Sequence, residues 1–309
     1  MQPFRFGVQY SNAASPKDWR DQAKKLESLG YSTIFIPDHF GDEWGPMVAL
    51  TVAAEATTEL KVGSLVFDND FRHPLVLAKE CATLDLVSEG RLEVGIGAGW
   101  LRSDYDQSGI AYDKPGVRVS RLEEGVKVLK QLWTAEPVSF DGDHFQLTDA
   151  TCLPAPHTPG GPPVIIGGGS RRVLNIAVHH ADIIGVNPSL VAGKIDAATI
   201  AGTAPSAYAE RIGWIREAAG HRFDQLELQS LVFAAQIGRP QAVVAEEFAA
   251  LMGFPADEVA QSATVLIGTE DEIVETLLRR REELGFSYWV LHGGDVEPFA
   301  PVVARLAGT

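Results

Sequence analysis

Residues 61–96 decide the fold; they read KVGSLVFDND FRHPLVLAKE CATLDLVSEG RLEVGI. The run 61–67 is apolar and rich in β-branched residues, which predicts a strand. Residues 75–87 carry apolar side chains at helical spacing, and residues 91–96 predict a second strand. A strand, a helix and another strand in succession are the pattern of a parallel βαβ unit.

The same alternation continues along the whole chain. The pattern predicts eight strands, at 4–9, 32–36, 61–67, 91–96, 163–166, 182–186, 226–234 and 287–291. Helices are predicted between them, at 16–30, 47–58, 75–87, 117–133, 171–180, 241–251 and 270–284, the last with Thr269 as N-cap. Eight βα units in 309 residues favour one closed (β/α)8 TIM barrel, with an open doubly wound sheet as the alternative.

Two segments interrupt this rhythm. Residues 137–163 are rich in Pro, Gly, Asp and His and predict an inserted excursion. Residues 188–205 consist mostly of small side chains and predict a flap, since long loops in compact domains tend to be functional. We therefore interpret residues 1–309 as a single α/β domain with two loop insertions.

The chain is acidic, with 41 Asp and Glu against 26 Lys and Arg and a formal charge of −15. Nucleic acids and anionic membrane surfaces attract basic faces, so this balance argues against both as partners. There is no apolar run of membrane-spanning length and no signal-peptide pattern at the first residues. We expect a soluble, cytoplasmic protein: a small-molecule enzyme, a binding protein or a structural oligomer.

In a barrel, reactive groups gather where the strands end at their carboxyl side. After the second strand stand Asp38 and His39, a carboxylate beside an imidazole, which is the pairing needed for proton movement near neutral pH. The alternative is that Asp38 caps the following turn and His39 packs beneath it.

Glycine-rich runs follow the fourth and fifth strands, at 95–99 and 167–170. The second run leads directly into a predicted helix, so converging backbone N–H groups and a helix N-terminus predict a phosphate or other anion site there. Ser170, Arg171 and Arg172 would supply a hydroxyl and positive charge. The second run lacks the spacing of a Walker loop and of a dinucleotide fingerprint, and a tight β-to-α turn is the alternative there.

The remaining candidate residues give weaker signals. No metal site is predicted, since adjacent histidines on a helix point in different directions and the two cysteines lack ligand spacing. Cys81 lies in an apolar helical pattern and is interpreted as a core residue. Aromatic side chains and a histidine in loops at the reactive end are candidates to line a pocket: Trp44, Trp100, Tyr105 and His292.

Five segments together resemble the bacterial luciferase-like flavin family. They are IPDHF at 36–40, GSLV at 63–66, RLEVGIGAGW at 91–100, GTEDEI at 268–273 and LGFSY at 284–288. The resemblance runs in order along almost the whole chain and implies a (β/α)8 barrel. Members of this family use FMN in two-component monooxygenases or the deazaflavin coenzyme F420 in hydride transfer.

The resemblance also implies roles for particular residues. The Asp-His pair is similar to that of the F420 branch, so Asp38 is expected to contact the cofactor ring system and His39 to lie near its reactive carbon. A non-prolyl cis peptide supporting the ring is expected at Ser64 and Leu65. The phosphate-binding backbone of the family maps onto Ala98, Gly99, Gly168, Gly169 and Ser170.

One departure concerns the substrate. Sugar-phosphate dehydrogenases of the F420 branch carry a carboxylate directly after the fourth-strand glycine motif, and this chain has Trp100 there. The tryptophan that follows their Asp-His pair matches Trp44, with one extra residue between. The resemblance therefore leaves the organic substrate unidentified.

The sequence thus predicts an F420-dependent oxidoreductase that moves a hydride to or from a small organic molecule. The alternatives are an FMN-dependent monooxygenase that needs a partner reductase, and a cofactor-free barrel acting as a binding subunit. Dimers are common in the family, although no interface is visible in the sequence. Because F420 is itself an anion, its capture by so acidic a chain requires local cations, for which Arg102, Arg171 and Arg172 are candidates.

Overall fold

A closed barrel of parallel strands forms the centre of the protein. The computed structural model describes residues 2–294 and 296–309, apart from the side chains at 251 and 252. Its strands are β1 Arg5–Gln9, β2 Thr33–Ile36, β3 Lys61–Ser64, β4 Phe67–Asp68, β5 Leu92–Gly97, β6 Val138–Asp141, β7 Gln146–Ala150, β8 Val164–Gly168, β9 Ile183–Val186, β10 Glu227–Val232, β11 Ala234–Ile237, β12 Val265–Gly268 and β13 Phe286–His292.

Helices surround these strands. They are α1 Pro16–Ser28, α2 Pro46–Ala56, α3 Pro74–Val87, α4 Arg102–Ser108, α5 Pro115–Leu132, α6 Arg171–His180, α7 Ala197–Ala201, α8 Pro205–Ala219, α9 Gln241–Met252, α10 Ala256–Gln261, α11 Glu270–Leu284 and α12 Val296–Leu306, with a 3-10 helix at Gly220–Gln225. In the part of the chain that is described, none of these helices has the length and apolarity needed to cross a bilayer.

The strand order confirms the predicted (β/α)8 barrel. The ring runs β1, β2, β3, β5, β8, β9, β10, β13 and back to β1, with parallel pairing throughout. The pairing of β3 with β5, at Val62 opposite Leu92, closes the ring and excludes the open sheet. All eight barrel strands correspond to strands predicted from the sequence.

Helix ends follow the capping residues in the sequence. Thr269 caps α11 in a reciprocal capping box with Glu272, as its position predicted. Ser170 caps α6 by accepting a hydrogen bond from the backbone N–H of Val173. These caps satisfy backbone groups that a helix terminus otherwise leaves without partners.

The structure differs from the sequence prediction in several short elements and in two longer helices, α8 and α12. The predicted strand 61–67 is divided into β3 and β4, and α4, α8, α10, α12 and β12 were not predicted. The excursion 137–163 contains the antiparallel hairpin of β6 and β7, and the segment 188–205 contains α7. Short helices such as α4 and α10 have few turns, so their periodicity is too brief to read from sequence.

An ionic cluster fills the end of the barrel where the strands begin. Arg5 contacts both Glu93, at 2.6 Å, and Glu227, at 2.5 Å, and its guanidinium lies 4.1 Å from the ring centre of Tyr288. Burial alone would raise the pKa of Glu93, but Arg5 and Lys61 hold it below its ordinary value. This end of a barrel serves stability, which leaves the opposite end for chemistry.

Candidate active site

The opposite end, formed by the carboxyl ends of the eight barrel strands and the residues directly after them, is called the mouth below. Asp38 lies there, 4% exposed, and its carboxylate is bound by Arg72 through Nη1 at 2.5 Å and Nη2 at 3.1 Å. It also accepts the backbone N–H of Asp68 at 3.1 Å. Asp38 is therefore fixed by the segment after β4 rather than capping its own turn. A two-pronged guanidinium contact of this kind sets both position and orientation.

His39 forms a dyad with Asp104 of α4. The distance from Nδ1 of His39 to Oδ2 of Asp104 is 2.6 Å, and Asp104 is 2% exposed. A carboxylate only accepts hydrogen bonds, so Nδ1 of His39 carries the proton of this contact and Nε2 is the nitrogen left for chemistry. Trp100 lies edge-to-face with the imidazole at 5.7 Å between ring centres. The dyad thus has its ring position and tautomer set by a buried partner.

Asp104 is a site residue that the sequence pattern does not predict. It lies 65 positions from His39 along the chain, on a helix of seven residues that the sequence did not predict. The two side chains meet because β2 and β5 are separated by β3 alone in the barrel, so the segments that follow them lie near each other at the same end.

A second buried carboxyl group, that of Asp68, lies next to Asp38 in the structure. Asp68 ends β4 and is 7% exposed, and the hydroxyl of Tyr105 lies 3.1 Å from its Oδ2 and 3.0 Å from Oδ2 of Asp70. Burial, together with the nearby charges of Asp70 and Asp38, raises the pKa of Asp68 to about 7. Two further acidic groups thus stand behind Asp38, where the sequence shows only the run FDND at 67–70.

The glycines of the two predicted turns are required by close packing. Gly99 has φ +70°, and a Cβ there would lie 1.8 Å from the Tyr105 hydroxyl and 2.4 Å from Oδ2 of Asp68. A Cβ at Gly169 would lie 2.4 Å from the backbone oxygen of Asn187. The turns are neighbours at the mouth because β5 and β8 pair side by side. Ala98, Gly168 and Ser170 flank them, and Ser170 uses its Oγ as a helix cap.

The non-prolyl cis peptide lies one bond later than predicted. It joins Leu65 to Val66 instead of Ser64 to Leu65. Ser64 donates from Oγ to the backbone oxygen of Gly95 at 2.7 Å, and Gln9 donates from Nε2 to the backbone oxygen of Leu65 at 2.6 Å. The predicted position was wrong because Ser64 still belongs to the regular ladder of β3, where it pairs with Ile36 of β2.

The three arginines predicted to supply charge are bound to protein groups elsewhere. Arg171 pairs with Glu217 at 2.6 Å, and Arg102 pairs with Asp106 at 2.8 Å. Arg172 donates to the backbone oxygen of Gly116 at 2.9 Å. Arg171 and Arg172 thus contact the neighbouring helices α8 and α5, and Arg102 contacts its own helix.

Two buried arginines stand behind the glycine turns instead. Arg118 of α5 is 3% exposed and donates from Nη1 to the backbone oxygen of Gly99 at 2.7 Å. Arg211 of α8 is 7% exposed and donates from Nε to the backbone oxygen of Gly169 at 3.2 Å. Among the described residues neither forms an ion pair, and burial lowers the pKa of Arg211. Two uncompensated positive charges behind adjacent turns fit an anionic ligand group.

The other candidate residues are distributed between core and surface. Trp44 packs on Trp19 at 5.7 Å between ring centres, and Tyr105 is a buried residue of α4 instead of a loop aromatic. His292 is exposed at the end of β13, opposite Gln9 in the ladder. Cys81 is fully buried in the core, as predicted. Over residues 2–294 and 296–309, no three His, Cys, Asp or Glu side chains are grouped to hold a metal ion.

With this geometry in place, comparison with known proteins defines the class. The model of the luciferase-like monooxygenase family matches residues 1–288, so the chain belongs to that family. The F420-dependent glucose-6-phosphate dehydrogenase of Nakamurella multipartita is 28% identical over 96% of this chain and 93% of the relative. The chain spans about half the length, 52%, of other relatives with that name, such as the one from Amycolatopsis mediterranei at 31% identity over 54% of this chain.

Solved structures share the fold at low sequence identity. The coenzyme F420-dependent tetrahydromethanopterin reductase from Methanopyrus kandleri has a TM-score of 0.76 at 19% identity, covering 98% of this chain and 97% of that one. The oxygenating constituent of 3,6-diketocamphane monooxygenase from Pseudomonas putida, in complex with FMN, has a TM-score of 0.71 at 15% identity, covering 98% and 96%. At these identities the likeness establishes the barrel alone.

Proposed function

We propose that the protein is an oxidoreductase that moves a hydride between coenzyme F420 and a small organic substrate. The observation that carries this proposal is the His39–Asp104 dyad beside the Arg72-bound Asp38 at the mouth of a luciferase-like barrel. It is supported by the relatives, which are named F420-dependent dehydrogenases.

The residues at the mouth fit such a cofactor. When bound, a deazaflavin supplies a carbon that gives or accepts a hydride. Asp38 and His39 would lie toward its ring, with the backbone of Ser64, Leu65 and Val66 behind it. Its phosphate would lie on the backbone of Ala98, Gly99, Gly168, Gly169 and Ser170, with Arg118 and Arg211 supplying positive charge behind these turns.

His39 acts as the general acid or base for the proton that accompanies the hydride. Because Nδ1 is bound to Asp104, Nε2 is the atom that gives or takes this proton. The Asp104 carboxylate holds the proton on Nδ1 and keeps the ring in one orientation. Arg72 fixes Asp38, so its carboxylate meets the ligand in a preset position and loses little freedom on binding.

We propose a substrate other than glucose 6-phosphate. The acidic position after the fourth-strand glycine motif of sugar-phosphate dehydrogenases is Trp100 here, and this indole lies against His39. The nearest carboxylate on α4 is Asp104, which is buried and already bound to His39, so it presents no free oxygen to a sugar hydroxyl. An apolar indole at this place favours a less polar substrate.

A second candidate function is an FMN-dependent monooxygenase that receives reduced flavin from a partner reductase. The family description and the FMN-bound structural neighbour favour it. The two buried arginines would suit the phosphate of either F420 or FMN. The residues that face the cofactor ring, Asp38 and His39, therefore decide between the two cofactors.

Assembly and location form part of the proposal. We propose that the protein forms a homodimer, as its resemblance to the family implies. The two cysteines, Cys81 and Cys152, are buried as free thiols, which suits the reducing cytoplasm.

Titration with four ligands tests the proposal. F420, its reduced form, FMN and reduced FMN are each added to the purified protein, and binding is followed by fluorescence and calorimetry. We expect tight binding of the deazaflavin and weakening by at least ~1 kcal/mol in Asp38→Ala, as for loss of a charge-assisted contact. Asp21→Ala, which removes an exposed carboxylate on α1, is the control. A preference for reduced FMN would overturn the assignment, and indifference to all four would indicate a cofactor-free barrel.

A further inference from the structure

The hydroxyl of Tyr105 lies between two carboxyl groups and has one proton to offer. It lies 3.1 Å from Oδ2 and 3.3 Å from Oδ1 of Asp68, and 3.0 Å from Oδ2 of Asp70. A phenol donates one hydrogen bond and otherwise accepts. If both carboxyls were ionised, one of them would face the hydroxyl oxygen with no proton between. A proton on one of the two acids gives each of these contacts a donor.

Asp70 is the member of this pair that has a cation beside it. Its Oδ1 lies 2.9 Å from Nη1 of Arg121, which also binds Asp113. A guanidinium at this distance strongly favours the charged carboxylate. The Tyr105 hydroxyl therefore donates to Asp70, and Asp68 donates its own proton to Tyr105.

The neighbours of Asp68 include two other carboxyl groups, which disfavour a negative charge on Asp68 itself. Asp38 lies on one side, accepting the backbone N–H of Asp68, and Asp70 lies on the other, donating its backbone N–H to Asp68 at 2.9 Å. Of the basic side chains described around this region, three are bound to other carboxylates and Arg118 donates to a neutral carbonyl. Arg72 binds Asp38, Arg121 binds Asp70 and Asp113, Arg118 binds the Gly99 carbonyl, and His39 binds Asp104.

The carboxyl of Asp68 also lies directly behind the Gly99 turn. A Cβ on Gly99 would come within 2.4 Å of Asp68 Oδ2, so no layer of atoms separates the turn from the carboxyl. An anion held by this turn would meet a like charge in a buried setting if Asp68 were ionised, and such repulsion is poorly screened.

We propose that Asp68 holds a proton at neutral pH in a hydrogen-bonded chain from Asp68 through Tyr105 to Asp70, and that this proton lets the Gly99 turn accept an anionic ligand group. The second half of the statement rests on the proposed function, because it takes the phosphate of the cofactor as the anion. The first half concerns the protein alone.

Infrared spectroscopy of the unliganded protein tests the first half. Asp68→Asn is the main variant, because an amide at this place accepts from the Asp70 N–H and donates to Tyr105 as the neutral acid does. We expect a carbonyl band of a protonated carboxylic acid at pH 6 that is absent from Asp68→Asn and is lost in the wild type as pH rises. In Asp70→Asn the loss occurs at lower pH, since a repelling charge is gone. Identical wild-type and Asp68→Asn spectra between pH 5 and pH 8 would overturn the proposal.

Binding of F420 at several pH values tests the second half. The ratio of the dissociation constants of wild type and Asp68→Asn removes the titration of the cofactor itself, which both proteins share. We expect this ratio to rise with pH, by at most about tenfold per pH unit once Asp68 ionises. A ratio that is independent of pH, with tight binding to both, overturns the coupling. Absence of F420 binding at every pH refutes the proposed function instead, and the infrared result still decides the state of Asp68.

Discussion

The proton on Asp68 has a measurable consequence for stability, which the substitution Asp68→Asn isolates. The pKa of this carboxyl is about 7 in the folded protein against 3.8 for an ordinary aspartate. The folded state therefore binds more protons than the unfolded state between these values, so the free energy of unfolding falls as pH rises through this range. Above pH 7 the contribution no longer changes. The amide of the variant does not titrate, so the variant lacks this slope.

The magnitude follows from the two pKa values. Each pKa unit corresponds to about 1.4 kcal/mol, so the window from pH 5 to pH 8 contains a loss of roughly 3 kcal/mol in the wild type relative to Asp68→Asn. Urea unfolding followed by circular dichroism, at one-unit steps of pH, measures both free energies under the same conditions. At each pH, the free energy of unfolding of Asp68→Asn is subtracted from that of the wild type. This subtraction removes the contribution of all other acidic groups, which titrate in both proteins.

The control for this measurement is Asp106→Asn, which changes a carboxylate on the same helix as Tyr105. The Asp106 side chain is 58% exposed and pairs with Arg102. The free energy of unfolding of Asp106→Asn is expected to change with pH by the same amount as that of the wild type. If Asp68→Asn also runs parallel to the wild type from pH 5 to pH 8, Asp68 is ionised in the folded protein and the reasoning from the Tyr105 hydroxyl is wrong.

Three further substitutions test other parts of the site. Asp104→Asn is expected to lower the maximal rate about 10²-fold or more with any accepted substrate, while affinity for the cofactor stays near that of the wild type, because His39 loses the group that sets its tautomer; steady-state kinetics across pH measure this, and an unchanged rate would contradict the dyad. Arg72→Ala leaves Asp38 buried beside no cation and is expected to cost about 3–5 kcal/mol of stability in urea unfolding, whereas a loss below ~1 kcal/mol would mean that the pair is solvated. Gly99→Ala places a methyl group 1.8 Å from a hydroxyl, so we expect a markedly lower melting temperature and loss of ligand binding, and normal values for both would refute the close packing.

The sequence pattern by itself predicts the barrel and the end of the barrel at which the site lies. Alternating strand and helix periods identified all eight barrel strands, since each period reflects only which faces of one element are buried. The pair Asp38 and His39 and both glycine turns stand directly after predicted strands, and parallel strands bring their carboxyl ends to one edge. Local spacing therefore determined the fold class and the end of the molecule where the site lies.

The partners of these residues were decided only by the tertiary structure. Asp104, Arg118 and Arg211 come from helices whose side chains reach the mouth across distances that no sequence spacing encodes. The arginines next to the glycine turn in sequence, such as Arg171, bind surface groups because the helix turns them outward. Asp68 is an ordinary acid in the sequence and acquires a proton because burial and two neighbouring carboxylates make its charge costly. The sequence determines which side chains follow each strand. The packing of the helices determines which charged groups lie next to those side chains.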